Sequence, residues 1–241
     1  MYTGHGINIY QLNEQAITVE FGNSISITAN NKVLQLNNLL LHSPFEGLQE
    51  TIPAYTTLTI FYDLKKLREH CKAGQTAAAK VITLILSLIS LLDDQETIPS
   101  SIIRIPVCYE EHFAPDLQRI SAKKNILSEK IIELHTSSVY YIFMTGFMPG
   151  FPYMGLIPEE LEMPRLDTAR QTVAAGSVGI AGLQTGIYPF DSPGGWNIIG
   201  RTPLKLFDAT KEIPCLLKAG DSVQFYAIGK GTFNRINEYG T

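Results

Sequence analysis

The chain has 241 residues, 45% hydrophobic and 17% charged, with a formal net charge of −4. That length allows one large domain or two small ones, and the composition excludes both a disordered chain and one that needs disulfide or metal staples to fold. No basic run stands out, so nucleic-acid binding is not expected; three widely spaced cysteines, Cys71, Cys108 and Cys215, fit a reducing cytoplasm better than a disulfide framework.

The start of the chain has neither the basic nor the apolar region of a secretory signal, and the reading is a cytoplasmic protein without membrane attachment. Alternation predicts a strand over Ile17–Phe21, preceded by a strand over Ile7–Leu12 and a turn at Asn13-Glu14. Apolar residues at 33, 34, 36, 40 and 41 predict a helix over 26–41, closed by Pro44. Strands over 48–54 and 58–62 follow. The most apolar run, Val81–Leu92, is too short to span a bilayer. Thr76, Lys80, Thr83, Ser87, Ser90 and Asp94 step through it by three and four, one polar stripe on an otherwise buried helix. The order β-β-α-β-β-α predicts one sheet with helices on one face.

Residues 93–101 are polar, carry Pro99 and lie between two apolar stretches, which makes them the predicted linker. Ile103, Ile105 and Val107 alternate with Arg104 and Pro106, the mark of an edge strand. Short helices are expected over Asp116–Asn125 and Ser128–His135, the second with Ser128 as its N-cap. Between Gly146 and Pro203 lie ten of the 19 glycines and seven of the 13 prolines, a density that speaks for tight turns and close backbone approach, not helix. Short apolar pieces at 177–181, 187–190, 196–199 and 204–207 then predict a barrel or sandwich.

Familiar catalytic signatures are missing. There is no G-x-x-x-x-G-K-[ST] phosphate loop, and Gly176-Ser-Val-Gly179-Ile-Ala-Gly182 lacks dinucleotide spacing. The histidines at 5, 42, 70, 112 and 135 show no metal-ligand spacing and read as structural or surface groups. Ala175-Gly-Ser177-Val-Gly179 only approximates a nucleophile elbow. The informative runs are Thr145–Tyr153, with three aromatics among two glycines and two prolines, and Gly186–Trp196, which ends on the only tryptophan. Both read either as rigid turns packed on the core or as walls of an aromatic pocket approached by backbone. Arg201, among apolar segments, calls for an anionic partner: Asp191, Asp208, or a carboxylate or phosphoryl group of a ligand.

PGFPYMG at 149–155, PR at 164–165, AGSVGIAGLQTGIYP at 175–189 and SPGGWNIIGRTPLKLFD at 192–208 resemble the KipI family, as do ITVEFGNSI at 17–25 and IPVCYEEHFAPDL at 105–117. That family includes the B subunit of bacterial ATP-dependent 5-oxoprolinase and chains like the first subunit of allophanate hydrolase. The sequence departs from the family pattern at Leu156, Ala169 and Ala174. The resemblance implies an α+β protein: a small ferredoxin-like domain over 1–97, then a cyclophilin-like β-barrel domain over 98–241. It implies a non-autonomous enzyme component that works with a homologous C subunit and a separate A subunit to convert 5-oxo-L-proline to L-glutamate, with ATP, and magnesium as its counter-ion, bound by the assembly. It assigns no catalytic residue and no metal ligand. The substrate-binding residues it implies are Phe147, Phe151, Tyr153 and Trp196 as walls, Arg165 and Arg201 as cations, Gln184, Tyr188 and Ser192 as hydrogen-bonding groups, and Gly194 and Gly195 as close backbone. The alternative implied by other relatives is an inhibitor that docks on a sensor histidine kinase and blocks its autophosphorylation.

Overall fold

The computed structural model describes residues 2–4, 6–93 and 102–239, and the chain divides into two compact units, 1–98 and 99–241. The predicted linker lies almost wholly outside the described residues.

The first unit is an antiparallel sheet with helices. Its strands are β1 (Tyr2–Gly4), β2 (Ile7–Asn13), β3 (Ala16–Glu20), β4 (Leu48–Pro53) and β5 (Thr57–Tyr62), in the order β1-β2-β3-β5-β4. The β2–β3 hairpin turns where Asn13 Oδ1 accepts the Gln15 amide at 2.8 Å, an Asx turn of the kind expected there. Helix α1 (Ile27–His42) starts where the Ser26 hydroxyl caps the Ala29 amide, and it buries Ala29, Val33, Leu36 and Leu40. Leu41, expected in that stripe, points to solvent. A short α2 (Leu64–Glu69) precedes α3 (Ala77–Ile89), whose N-cap is Thr76. Helix α3 turns Val81 and Ile85 into the core, and Thr83 and Ser87 lie on its exposed side, bonded back to main-chain carbonyls. One apolar cluster, from Ile9 to Ile85, unites sheet and helices. No helix among the described residues is long and apolar enough to cross a membrane.

The second unit is a mixed sheet that curls until its ends meet. It uses β6 (Ile102–Val107), β7 (Val139–Thr145), β8 (Pro152–Gly155), β10 (Ser177–Ala181), β11 (Gln184–Ile187), β13 (Asn197–Arg201) and β14 (Ser222–Ala227), in the order β13-β10-β11-β8-β7-β14-β6. β6 runs parallel to β14 at one end, consistent with the edge strand expected from Pro106. A single bridge closes the ring: the Cys108 amide donates to the Arg201 carbonyl at 2.8 Å, and the Arg201 amide returns the bond at 3.0 Å. Helices α4 (Leu117–Lys124) and α5 (Ser128–Ser137) cover the sheet, and α6 (Lys230–Tyr239) ends the unit. Ser128 is the first residue inside α5, not its cap; Leu127 holds the cap position. Residues 204–207 form no strand: Phe207 makes one bridge, to Cys215. The remaining strands, β9 (Arg170–Val173) and β12 (Ser192–Gly194), pair only with each other.

His135 sits fully buried in this unit, stacked on Phe225. Thr185 spends its hydroxyl proton on the Gly179 carbonyl, so the 3.1 Å bond to His135 must carry the proton of Nε2. Nδ1 then accepts from the Tyr109 hydroxyl at 2.8 Å. Burial drives the imidazole pKa down to about 3 and keeps it neutral.

Candidate functional site

The turn from β7 to β8 builds one wall of a pocket of about 280 Å³. Gly150 supplies a left-handed residue (φ +81°), and the backbone packs so closely on Phe207 that a side chain there would meet it at 3.1 Å. Phe147 also has positive φ, 68°, and is 64% exposed. A large apolar residue held in that conformation at a pocket mouth is strained, and such strain collects at ligand sites. Phe151 is the hub. Its ring meets Phe147, Tyr188 and Trp196 edge-on at centroid distances of 5.8, 5.2 and 5.4 Å, and lies 4.8 Å from Tyr153. Edge-to-face geometry of this kind is the favoured one for aromatic pairs.

The β9–β12 ribbon builds the opposite wall. It delivers Gly194 and Gly195, and Trp196 follows at the entry to β13. Gly194 is there for space: an added Cβ would stand 2.5 Å from the Tyr188 hydroxyl. Gly195 meets nothing nearer than 3.8 Å, and its carbonyl accepts the Leu166 amide at 2.8 Å, fixing the loop that carries Arg165. Arg165 is exposed on the rim and has no carboxylate partner among the described residues. Burial raises the pKa of both Tyr153 and Tyr188, with the Arg165 charge opposing it, so each phenol stays protonated. The pocket therefore presents flat rings, neutral phenols and one unpaired cation.

Eight of the eleven expected residues, Phe147, Phe151, Tyr153, Arg165, Tyr188, Gly194, Gly195 and Trp196, line this pocket, joined by Ala169 and Pro193. Three do not. Gln184 lies on β11 opposite Gly155. Ser192 lies on the ribbon with its hydroxyl buried and unpaired. Arg201 lines a separate groove, and its Nε donates to the Ala175 carbonyl at 2.7 Å. Neither Asp191 nor Asp208 is its partner: Asp191 accepts the Ala175 amide at 2.7 Å, and Asp208 pairs with Lys205 at 3.1 Å. Ser177 begins a buried strand, not a strand-to-helix turn, which removes the elbow reading.

A buried polar hub behind the ribbon escaped the sequence reading. Asp116 accepts the Ile198 amide at 2.6 Å and an Arg170 Nη at 2.7 Å, with Arg119 at 3.6 Å. Arg119 also bonds Asn197, whose amide donates to the carbonyls of Pro164 and Ile180 at 2.9 and 3.0 Å. The hub thus ties β9, β13 and the Arg165 loop together. Asp116 lies inside a motif quoted above, but the two groups that hydrogen-bond its carboxylate, on Arg170 and Ile198, lie 54 and 82 positions away, and no local pattern marks them.

The model for the carboxyltransferase domain, subdomains C and D, matches residues 7–217. The chain belongs to this family. It is 38% identical over 232 residues to the 5-oxoprolinase B subunit of Bacillus subtilis (strain 168), covering 95% of this chain and 96% of that one. It is 34% identical to the 5-oxoprolinase B subunit of Escherichia coli O157:H7 over 90% of its own length and 94% of the relative's. Among solved structures, TTHA0988 superposes with a TM-score of 0.75 at 32% identity, covering 89% of this chain, which spans 40% of that protein's length. The Kluyveromyces lactis urea carboxylase, at 19% identity, shares the fold with a TM-score of 0.73 over 96% of this chain and 22% of its own.

Proposed function

We propose that this chain is the B subunit of an ATP-dependent 5-oxoprolinase, a non-autonomous part of an assembly with a homologous C subunit and a separate A subunit that opens 5-oxo-L-proline to L-glutamate. The same reading names the first unit ferredoxin-like and the second cyclophilin-like, and places the protein in the cytoplasm. The observation that carries it is the rim cation over an aromatic floor. 5-Oxoproline is a small, nearly flat lactam with one carboxylate. Arg165 pairs with the carboxylate, the rings of Phe151 and Trp196 take the ring faces, and the protonated Tyr153 and Tyr188 are hydrogen-bond donors for the lactam oxygen.

ATP supplies the activation, since a phosphoryl group on the lactam oxygen turns a poor electrophile into one that water can open. The chain's own residues bind and orient the lactam and keep bulk water off its faces. The pocket's 280 Å³ takes one small ring and not a nucleotide. No group of three His, Cys, Asp or Glu among the described residues is placed to hold a metal, and magnesium, as the counter-ion of ATP, is assigned no protein ligand here.

The relatives named above favour this reading over the kinase-inhibitor alternative. The test is co-production with the partner subunits and an assay for ATP-dependent glutamate release from 5-oxoproline. Arg165→Gln should raise KM for the lactam about tenfold or more, the scale of one charge-assisted contact. An assembly that releases no glutamate overturns the proposal.

A further inference from the structure

β6 is the last strand of its sheet. Its inner side pairs with β14, and on its outer side the Cys108–Arg201 bridge, one residue past its end, is the one main-chain link toward β13 among the described residues. An antiparallel strand would continue from that bridge along Ile105 and Ile103, and the chain does not supply it. The Thr202 amide turns aside to the Gly176 carbonyl at 2.9 Å, and Pro203 has no amide to give. The outer edge of β6 from Ile102 to Ile105 thus has no neighbouring strand among the described residues, and the space beside it is a groove of about 830 Å³.

Side chains alternate along this edge. Ile103 and Ile105 turn toward the core, and Arg104, exposed, turns the other way, with its guanidinium carbon 5.1 Å from the centroid of the Tyr226 ring. Arg201, Lys205 and Lys211 also line the groove and no carboxylate does, in a chain whose formal net charge is −4. Asp208 takes the Lys205 ammonium at 3.1 Å. Arg201 spends only its Nε, on the Ala175 carbonyl. Its terminal nitrogens, like Arg104 and Lys211, meet no carboxylate among the described residues. Leu204 and Leu216 add apolar surface. An open strand edge with apolar groups on one side and an unpaired cation on the other is a template for a further strand: main-chain groups supply the bonds, and alternate side chains the selectivity.

We propose that this groove takes an extended segment of another protein chain, added as a strand beside Ile103–Ile105, with acidic and apolar residues in alternation. The apolar residues follow Ile103 and Ile105 inward, and the acidic ones stand on the side of Arg104 and are held by the groove's cations. The aromatic pocket takes no part. The inference goes beyond the oxoprolinase reading and does not depend on it, because binding is measured on the single full-length chain, without turnover.

The probe is a fluorescein-labelled ten-residue peptide in which glutamate and valine alternate, titrated with the purified chain at two salt concentrations and read by anisotropy. It should bind saturably, with half-saturation below about 1 mM, and more weakly as salt rises. Two further peptides separate strand addition from charge alone: one with its five glutamates in one half and its five valines in the other, and the alternating peptide N-methylated throughout its backbone. Each should bind at least about tenfold more weakly. Arg104→Gln with Lys211→Gln, both exposed, should weaken the probe about tenfold or more. Lys130→Gln, on the surface of α5, removes the same charge elsewhere and should leave affinity unchanged. Bound probe should also slow amide hydrogen exchange in β6. Absence of saturable binding at millimolar concentration, full affinity in the Arg104/Lys211 double variant, or unchanged exchange in β6 overturns the site. Equal affinity for the block peptide or for the N-methylated one overturns the added strand.

Discussion

At the scale of single residues, two neighbouring glycines separate space from flexibility. A Gly194→Ala side chain would push Tyr188 out of the pocket wall, at a cost of about 1–3 kcal/mol, typical of overpacking. Gly195→Ala makes only ordinary van der Waals contact, at 3.8 Å and beyond, and should stay within about 0.5 kcal/mol of wild type. Thermal melts of the two variants check the contrast. His135 sets a pH dependence. Its folded pKa of about 3 lies far below the unfolded value near 6.5, so below pH 6.5 the unfolded chain binds a proton that the folded one does not. Stability is therefore unaffected above pH 6.5 and falls as pH drops from there toward 3, by about 2 kcal/mol at pH 5. His135→Gln should be less stable at pH 7 but should lose about one proton's worth of slope between pH 7 and 5, read from denaturant melts.

At the scale of elements, the β9–β12 ribbon is held to the barrel from behind by the Asp116 hub. Asp116→Ala leaves the Ile198 amide buried without its acceptor and Arg170 without its anion. The expected cost is about 2 kcal/mol or more. Because the ribbon carries the chain into Trp196, the loosened variant should also shift the single-tryptophan emission to the red. A melt lowered without any change in emission would place the damage away from the ribbon. Much at this scale was legible in the sequence. The stripes of α1 and α3, the turn at Asn13 and the helix pair α4 and α5 follow from local periodicity and capping, which depend on residues a few positions apart. What was not legible depends on distant partners. β11 starts at Gln184 and not at 187, because its register is set by β8 and β10. β14 was missed because its parallel pairing with β6 joins residues about 120 positions apart. The pocket's rings were legible because glycine and proline crowd around them. Arg201 reads in the sequence as a residue that calls for an anion, yet neither Asp191 nor Asp208 reaches it and its Nε goes to a carbonyl, because its side of the wall is a property of the closed sheet.

For the whole molecule, the two units have separate apolar clusters, one running from Ile9 to Ile85 and the others from Ile105 onward. Each therefore carries its own core, and we expect limited proteolysis to cut first within 93–101 and to release two folded fragments. Early cleavage within 171–200 would contradict this boundary. The purified chain on its own is expected to release no glutamate from 5-oxoproline with ATP, and activity should appear only on adding the partner subunits.

Tyr188 and Pro189 are consecutive, yet the first lines the aromatic pocket and the second lines the separate groove that also holds Arg201. The Tyr188 carbonyl also accepts the amide of Gly176, another residue of the groove wall, at 2.7 Å. One peptide unit is thus a party wall. A displacement of that backbone by an occupant on one side must alter the shape offered on the other, and by thermodynamic reciprocity each occupant then changes the affinity of its neighbour by the same factor.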